Sequence, residues 1–207
     1  MKKEGYDMTQ VTNANYDSDV VLDLETVGTS AGCGILSIGA TTLDGTRNFY
    51  IAVDIQSCYN IGLYADTDTL AWWRKQSMEA RKEAFSGTIK IEVALREFTE
   101  WYRQVGATAI WGNGADFDLS ILADAYGACE MVQPWKYSES RCYRTVKALC
   151  PHITAGEFLG TRHDALADAV HEARHLRRIL AHINEANYSV LTAIMLAVQT
   201  NIKLAGA

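Results

Sequence analysis

A single α/β domain with a mixed central sheet flanked by helices is the fold that the sequence predicts. Three observations carry it. The run Asp19-Val20-Val21-Leu22-Asp23-Leu24-Glu25-Thr26 is almost continuously apolar, Asp44-Gly45 separates two strand-like segments, and helical and strand patterns alternate thereafter.

Residues 1–17 are polar and unpatterned, which predicts a flexible N-terminal arm. The run from Asp19 to Thr26 reads as a strand buried on both faces. Ile35 to Leu43 and Phe49 to Val53 flank Asp44-Gly45, a pair suited to a tight hairpin turn, so at least two of the first three strands are antiparallel. Thr69 to Phe85 reads as helical, with Ser77 placed to cap a second segment. Ile91 to Tyr102 continues helical, with apolar Val93, Leu95, Phe98 and Trp101. Ala107 to Trp111 is a short strand, broken by Gly112-Asn113-Gly114, and a helix follows over Ala115 to Tyr126. Cys142 to Leu149 is a short helix. Asp164 to Ile183 is a long one, with Leu166, Val170, Ala173, Leu176, Leu180 and Ile183 at helical spacing. A last helix is expected from about Asn187 to Lys203. Its apolar Val190, Leu191, Ile194, Met195 and Val198 either cap the core or pair two subunits into a homodimer. The expected division is an arm over 1–17, a domain over 18–185 and a C-terminal helix over 186–207, packed on the domain or on a partner subunit.

The chain has 207 residues, is 48% hydrophobic and 21% charged, and so has the composition of a folded domain rather than of a disordered or collagenous chain. Two prolines, Pro134 and Pro151, leave no Pro-rich linker. A net charge of -6 excludes a general polyanion binder that works through bulk positive charge. Contact with nucleic acid would need another source of positive charge, such as a bound cation. Five cysteines without C-x-x-C spacing argue against a disulfide framework or a cysteine zinc site. The start carries no apolar signal-peptide core, and the run Val190 to Val198 is too short to span a bilayer. A cytoplasmic location, with no membrane contact, is expected.

Three segments carry chemistry. Alternation places Asp23 and Glu25 on one face of the first strand and Val20, Leu22 and Leu24 on the other. Two like charges at the end of a buried strand are costly unless something positive meets them. The plainer reading is that the strand has ended and both are solvated, and Asp-x-Glu arises by chance about once in a chain of this length. Asp118 shares a helical face with Ile121, Leu122 and Ala125, the inward stripe, whereas Asp116 and Asp124 fall away from it. Helix-dipole stabilisation is the alternative account of an acid in a first turn. In Gly160-Thr161-Arg162-His163-Asp164-Ala165-Leu166-Ala167-Asp168, a Gly-Thr loop leads into a helix. Spacing alone leaves Asp168 on the flank of the apolar stripe.

Together these segments resemble the DEDD superfamily of 3′-to-5′ exonucleases, in its histidine-containing branch. The likeness rests on Asp23-x-Glu25, on Phe117-Asp118 after a strand and loop, and on His163-x-x-x-x-Asp168, and it spans about residues 18 to 182. Leu70-Ala71-Trp72-Trp73-Arg74 and Trp111-Gly112-Asn113-Gly114-Ala115 look like the small branch that holds phage exonuclease A and a mycobacterial exoribonuclease. One departure stands out: Gly114 sits where many members place an Asn, with Asn113 one position earlier.

The resemblance implies a ribonuclease H-like fold and two divalent cations, Mg²⁺ or Mn²⁺. Phosphodiester hydrolysis needs a nucleophilic hydroxide and a stabilised leaving oxygen, which a pair of ions supplies, and hard oxygen ligands select such ions over zinc. By carry-over, Asp23 would bridge both ions, Glu25 and Asp168 would complete the first site, and Asp118 would support the second. His163 would be the general base, a task that suits an imidazole. Leu24 and Thr26 are expected beside the terminal nucleotide. Either Trp73 or its neighbour Trp72 would stack a base, the other packing in the core. Arg162 is expected on phosphate, with Arg141, Arg144 and Lys147 nearby in sequence, although solvated surface charge explains each of these equally well.

Two other classes compete. His171-Glu172-Ala173-Arg174-His175 matches the zinc-protease pattern H-E-x-x-H. Its face is expected to be solvated, opposite the stripe of Leu166 and Val170, and it leaves Asp23, Glu25 and Asp118 unexplained. A binding module that has lost catalysis would be expected to lack an acid or the histidine, and all five are present. The expected function is metal-dependent 3′-to-5′ hydrolysis at single-stranded 3′ ends, with DNA favoured slightly over RNA and nucleoside 5′-monophosphates released.

Overall fold

The computed structural model describes residues 16–114 and 116–205, with the side chains of residues 188, 191 and 194–205 outside the description. The expected arm therefore lies outside the described residues except for Tyr16 and Asp17. One mixed sheet has the order β3-β2-β1-β4-β5. Its strands are β1 (Val20–Thr26), β2 (Ile35–Thr42), β3 (Asn48–Ala52), β4 (Ile110–Gly112) and β5 (Ser140–Cys142). β1, β2 and β3 form an antiparallel meander. β4 runs parallel to β1, and β5 parallel to β4. The β2–β3 connection turns at Asp44-Gly45 as expected: Gly45 takes φ +77°, and Asp44 Oδ1 accepts from the Thr46 N–H at 3.0 Å.

The alternation of β1 sorts two cores onto the two faces of the sheet. Val20, Leu22 and Leu24 pack with α4 (Ile91–Gln104) and α5 (Asp118–Ala128), against Leu95, Phe98, Ile121 and Leu122. Val21 points the other way, into a core with Tyr143 of α6 (Tyr143–Leu149) and Ala173, Leu176 and Leu180 of α7 (Ala165–Ala205). Each large aliphatic side chain buried in this way contributes roughly 1.5–3 kcal/mol. By the same alternation, Asp23 and Glu25 face α7.

Three further helices border the sheet: α1 (Ile55–Asn60), α2 (Thr67–Trp73) and α3 (Met78–Ala84). The helix expected over Thr69 to Phe85 is thus two, and Ser77 caps the second by accepting from the Ala80 N–H at 3.1 Å.

The long helix differs from expectation in two ways. It runs unbroken from Ala165 to Ala205, so no separate last helix begins near Asn187. Its buried stripe is Ala165, Ala169, Glu172, Ala173, Leu176, Ile179 and Leu180, whereas Leu166 and Val170 are only half-buried. Close approach explains the shift. A Cβ added to Gly39 of β2 would lie 2.1 Å from the carbonyl carbon of Ala165, so strand and helix backbones almost touch and only small side chains fit between them. Of the apolar face expected at the far end, Val190 is exposed, and the side chains of Leu191, Ile194, Met195 and Val198 lie outside the described residues. Among the described residues, no helix is long and apolar enough to cross a membrane. All five cysteines are free.

Candidate active site

The parallel strands β1 and β4 pair through Val20–Ile110 and Val21–Trp111, and β1 then runs on past the end of that pairing. Ligand sites in open α/β sheets favour such a crevice, beyond the carboxyl ends of parallel strands. Here a cavity of about 630 Å³ opens, lined by Asp23, Glu25, His163, Asp168, Glu172, Trp72 and neighbours.

Three elements deliver the acids. β1 supplies Asp23 and Glu25, α5 supplies Asp118 from its first turn, and α7 supplies Asp168 and, one turn on, Glu172. Ligand oxygens of Asp23, Glu25 and Asp168 lie within 4.8 Å of one another. Asp118 stands behind this group, fully buried. Its Oδ1 accepts from the Leu24 N–H at 3.2 Å and its Oδ2 from the Asn113 N–H at 2.8 Å, which ties the end of β4 to the middle of β1. Asn113 also donates its side-chain amide to Oε1 of Glu172. Among the described residues, Oε2 of Glu172 is buried without a hydrogen-bond partner.

So many carboxylates in little water resist ionising together. Burial, then the charges of Asp118, Glu172, Glu25 and Asp168, holds Asp23 well above the usual carboxylate range. Burial, with Asp168 next, pushes Glu25 up to about 8. Burial and then Asp118 push Glu172 up to about 8 against the opposing pull of the Asn113 amide. Asp118 reaches only about 6, because burial raises it while the N–H groups of Asn113 and Leu24 favour its anion. Asp168 is raised by burial and held back by the His163 N–H. Among the described residues the ion pair found, Lys136–Glu139, involves none of these acids.

The loop before α7 sets the histidine. Asp164 caps the helix by accepting from the Ala167 N–H at 2.7 Å, and the His163 N–H donates to Asp168 Oδ2 at 3.0 Å. His163 takes φ +65°, and its exposed ring packs edge-on against Trp72 with centroids 4.9 Å apart.

Leu24 and Thr26 line the cavity. Trp73 also borders it, but its ring is buried and its Nε1 donates to the Thr26 carbonyl at 2.9 Å, so it braces β1 and is not free to stack a base. Trp72, 40% exposed, is the accessible member of the pair. Arg162 is absent from the lining; its guanidinium carbon sits 5.1 Å over the Phe158 ring.

The face expected to be solvated on α7 is corrected as well. Glu172 and His175 are buried. His175 Nε2 lies 2.7 Å from the Ile153 carbonyl and donates to it, and its Nδ1 lies 2.7 Å from the Tyr143 hydroxyl. With both nitrogens of His175 engaged and Glu172 held by Asn113, the H-E-x-x-H spacing does not assemble a zinc-protease site here. The sequence names Glu172 only within the H-E-x-x-H pattern, on a face expected to be solvated, and gives no sign of the Asn113 contact. The available signal was the interval of four from Asp168, one helical turn.

The sheet order and the helices on both faces define a ribonuclease H-like fold. The crystallographic nuclease domain of 3'hExo, a DEDDh family member, bound to rAMP, superposes with a TM-score of 0.54 over 82% of this chain and 94% of that one, at 10% identity. No curated protein matches. Residues 18–180 match the model of the Rv2179c-like 3'-5' exoribonuclease domain. The chain belongs to that family, and it is a 3′-to-5′ exonuclease.

The residues present fit a divalent cation. Three carboxylates converge, the surrounding acids are held above their usual range, and one buried carboxylate oxygen lacks any partner. Oxygen-only donors suit a hard cation.

Proposed function

We propose that the protein trims single-stranded RNA from the 3′ end and releases nucleoside 5′-monophosphates, with Mg²⁺ or Mn²⁺ as cofactor. The observation that carries this is the convergence of Asp23, Glu25 and Asp168 within 4.8 Å in a cavity that His163 also lines. When bound, a pair of divalent cations supplies electrostatic stabilisation of the developing negative charge and eases loss of a proton from water. Asp23, Glu25 and Asp168 bind these ions, and Asp118, with both oxygens on backbone N–H groups, fixes the distance between β1 and β4. His163 accepts the proton of the attacking water, its ring steadied by Trp72. The backbone of Leu24 and Thr26 forms the wall beside the terminal nucleotide, and Trp72 offers its open face to a base. The likeness to phage exonuclease A leans slightly to DNA and the motifs themselves do not choose; the family's description as an exoribonuclease moves the reading to RNA.

Matched 5′-labelled RNA and DNA oligonucleotides, single-stranded and duplex, incubated with Mg²⁺, Mn²⁺ or chelator, test the reading. A metal-dependent ladder shortening from the 3′ end, faster on single-stranded RNA, is expected. Equal or faster trimming of DNA would overturn the sugar assignment, and trimming in chelator would overturn the metal assignment.

A further inference from the structure

We propose that Glu172 is a fifth acid of the cation centre, holding the second cation together with Asp23 while Asp118 stands behind them, and that Asn113 is the positioning residue that aims it. The inference rests on the metal-dependent reading above and adds a ligand that the four-acid motif does not contain.

The acids fall into two groups around Asp23. Glu25 and Asp168 form the first, with ligand oxygens within 4.8 Å of those of Asp23. Asp118 and Glu172 form the second, joined through Asn113: its backbone N–H donates to Asp118 Oδ2 and its side-chain amide to Glu172 Oε1. Within this second group the two acids differ in access. Asp118 is fully buried, spends both oxygens on backbone N–H groups, and is absent from the cavity lining. Glu172 is only 7% exposed, yet it lines the cavity beside Asp23 and Asp168.

The unpartnered Oε2 of Glu172 is the second, independent pointer to a ligand. A buried carboxylate oxygen without a donor is costly in a folded protein, and such groups are kept where a cation completes them. Arg144 does not serve: its Nε lies 3.5 Å from the other end of Asn113, at Oδ1. Arg144 thereby helps fix the Asn113 amide, which in turn holds Oε1 and leaves Oε2 without a donor among the described residues. Position on the helix fits the same purpose. Glu172 follows Asp168 by four residues, so both side chains leave one face of α7 toward β1.

The test is Mn²⁺ binding to the full chain, by titration calorimetry and by the electron paramagnetic resonance signal of free Mn²⁺, for wild type, Glu172→Gln and Asn113→Ala. The Gln variant keeps an acceptor for Asn113 and removes the charge. Two Mn²⁺ per chain are expected for wild type. In both variants the tighter site should persist and the weaker one should lose about tenfold or more in affinity, as for other residues that ligate or orient a metal. Melting in chelator should be no lower for Glu172→Gln than for wild type, because a buried charge has gone. Wild-type isotherms for both variants would overturn the role of Glu172 and leave the metal reading standing. No Mn²⁺ uptake by wild type would overturn the metal reading itself. A Gln variant that melts far below wild type in chelator, with Asn113→Ala binding two ions normally, would make Glu172 a structural acid and overturn the inference.

Discussion

The backbone N–H of His163 donates to Oδ2 of Asp168 at 3.0 Å, so the proposed base and a proposed cation ligand move as one unit at the start of α7. That turn needs φ +65° at His163, a conformation that Asn adopts more readily than most side chains and that β-branched residues resist. His163→Asn should therefore preserve the turn and the melting temperature while lowering the single-turnover rate about 10²–10⁴-fold. Hydrolysis of a labelled oligonucleotide at saturating enzyme gives the rate. An Asn variant as fast as wild type would remove His163 from the proton transfer.

The two adjacent tryptophans should separate cleanly by experiment. Trp73→Phe removes the donor to the buried Thr26 carbonyl and should cost about 1–3 kcal/mol in urea unfolding. Trp72→Ala removes an exposed ring, so stability should change little, while KM for a short oligonucleotide rises about tenfold if one base stacks there. A large stability loss for Trp72→Ala with unchanged KM would make it a packing residue instead.

Much of this site could be read from sequence because its signals are local. The run Val20 to Thr26 fixes which side chains face α7, so Asp23 and Glu25 stood out at once, and Asp118 shared the stripe of Ile121, Leu122 and Ala125, which is indeed buried. Glu172 was lost because the buried face of α7 was assigned by bulk. Leu166 and Val170 look like core, but contact at Gly39 demands alanines, and this rotates the true stripe onto Ala165, Ala169 and Glu172. Nothing local could show the Asn113–Glu172 bond, which joins residues 59 apart. Strand β5 is three residues long, mostly exposed and without apolar alternation, so it had no pattern to detect.

Gly39 should be among the most sensitive glycines of the fold. An added Cβ would sit 2.1 Å from the Ala165 carbonyl carbon and 2.3 Å from the Leu166 nitrogen, both backbone atoms that cannot swing aside. Gly39→Ala should cost about 3 kcal/mol or more. Gly39 is also the register partner of Asp23, so pushing α7 away moves Asp168 from Asp23 and should abolish activity in whatever fraction folds. Gly45→Ala is the contrast. It meets no atom within 4 Å and carries only the strain of φ +77°, about 1 kcal/mol, with activity kept. Equal effects in denaturant unfolding would show that the close approach of β2 and α7 is not as drawn.

Stability should depend on pH in a direction that cations reverse. Glu25 and Glu172, normally near 4.5, are held up to about 8 by burial and neighbouring charge, and Asp118 is held up to about 6 from 3.8. An acid whose folded value is raised binds more protons in the fold than in the unfolded chain, so its contribution is present in full below the unfolded value and is lost as pH rises through the folded value. For the two glutamates that window runs from about 4.5 to about 8, and for Asp118 from about 3.8 to about 6. In chelator, the melting temperature should therefore fall between pH 5 and pH 8. Divalent cations bind the ionised form and compete with those protons, so the rise in melting temperature on adding Mn²⁺ should be small at pH 5 and large at pH 8. Glu25→Gln should flatten the chelator profile and reduce the Mn²⁺ increment. Differential scanning fluorimetry across this range measures all three, and an increment that stays constant from pH 5 to pH 8 would mean that these carboxylates do not share a cation.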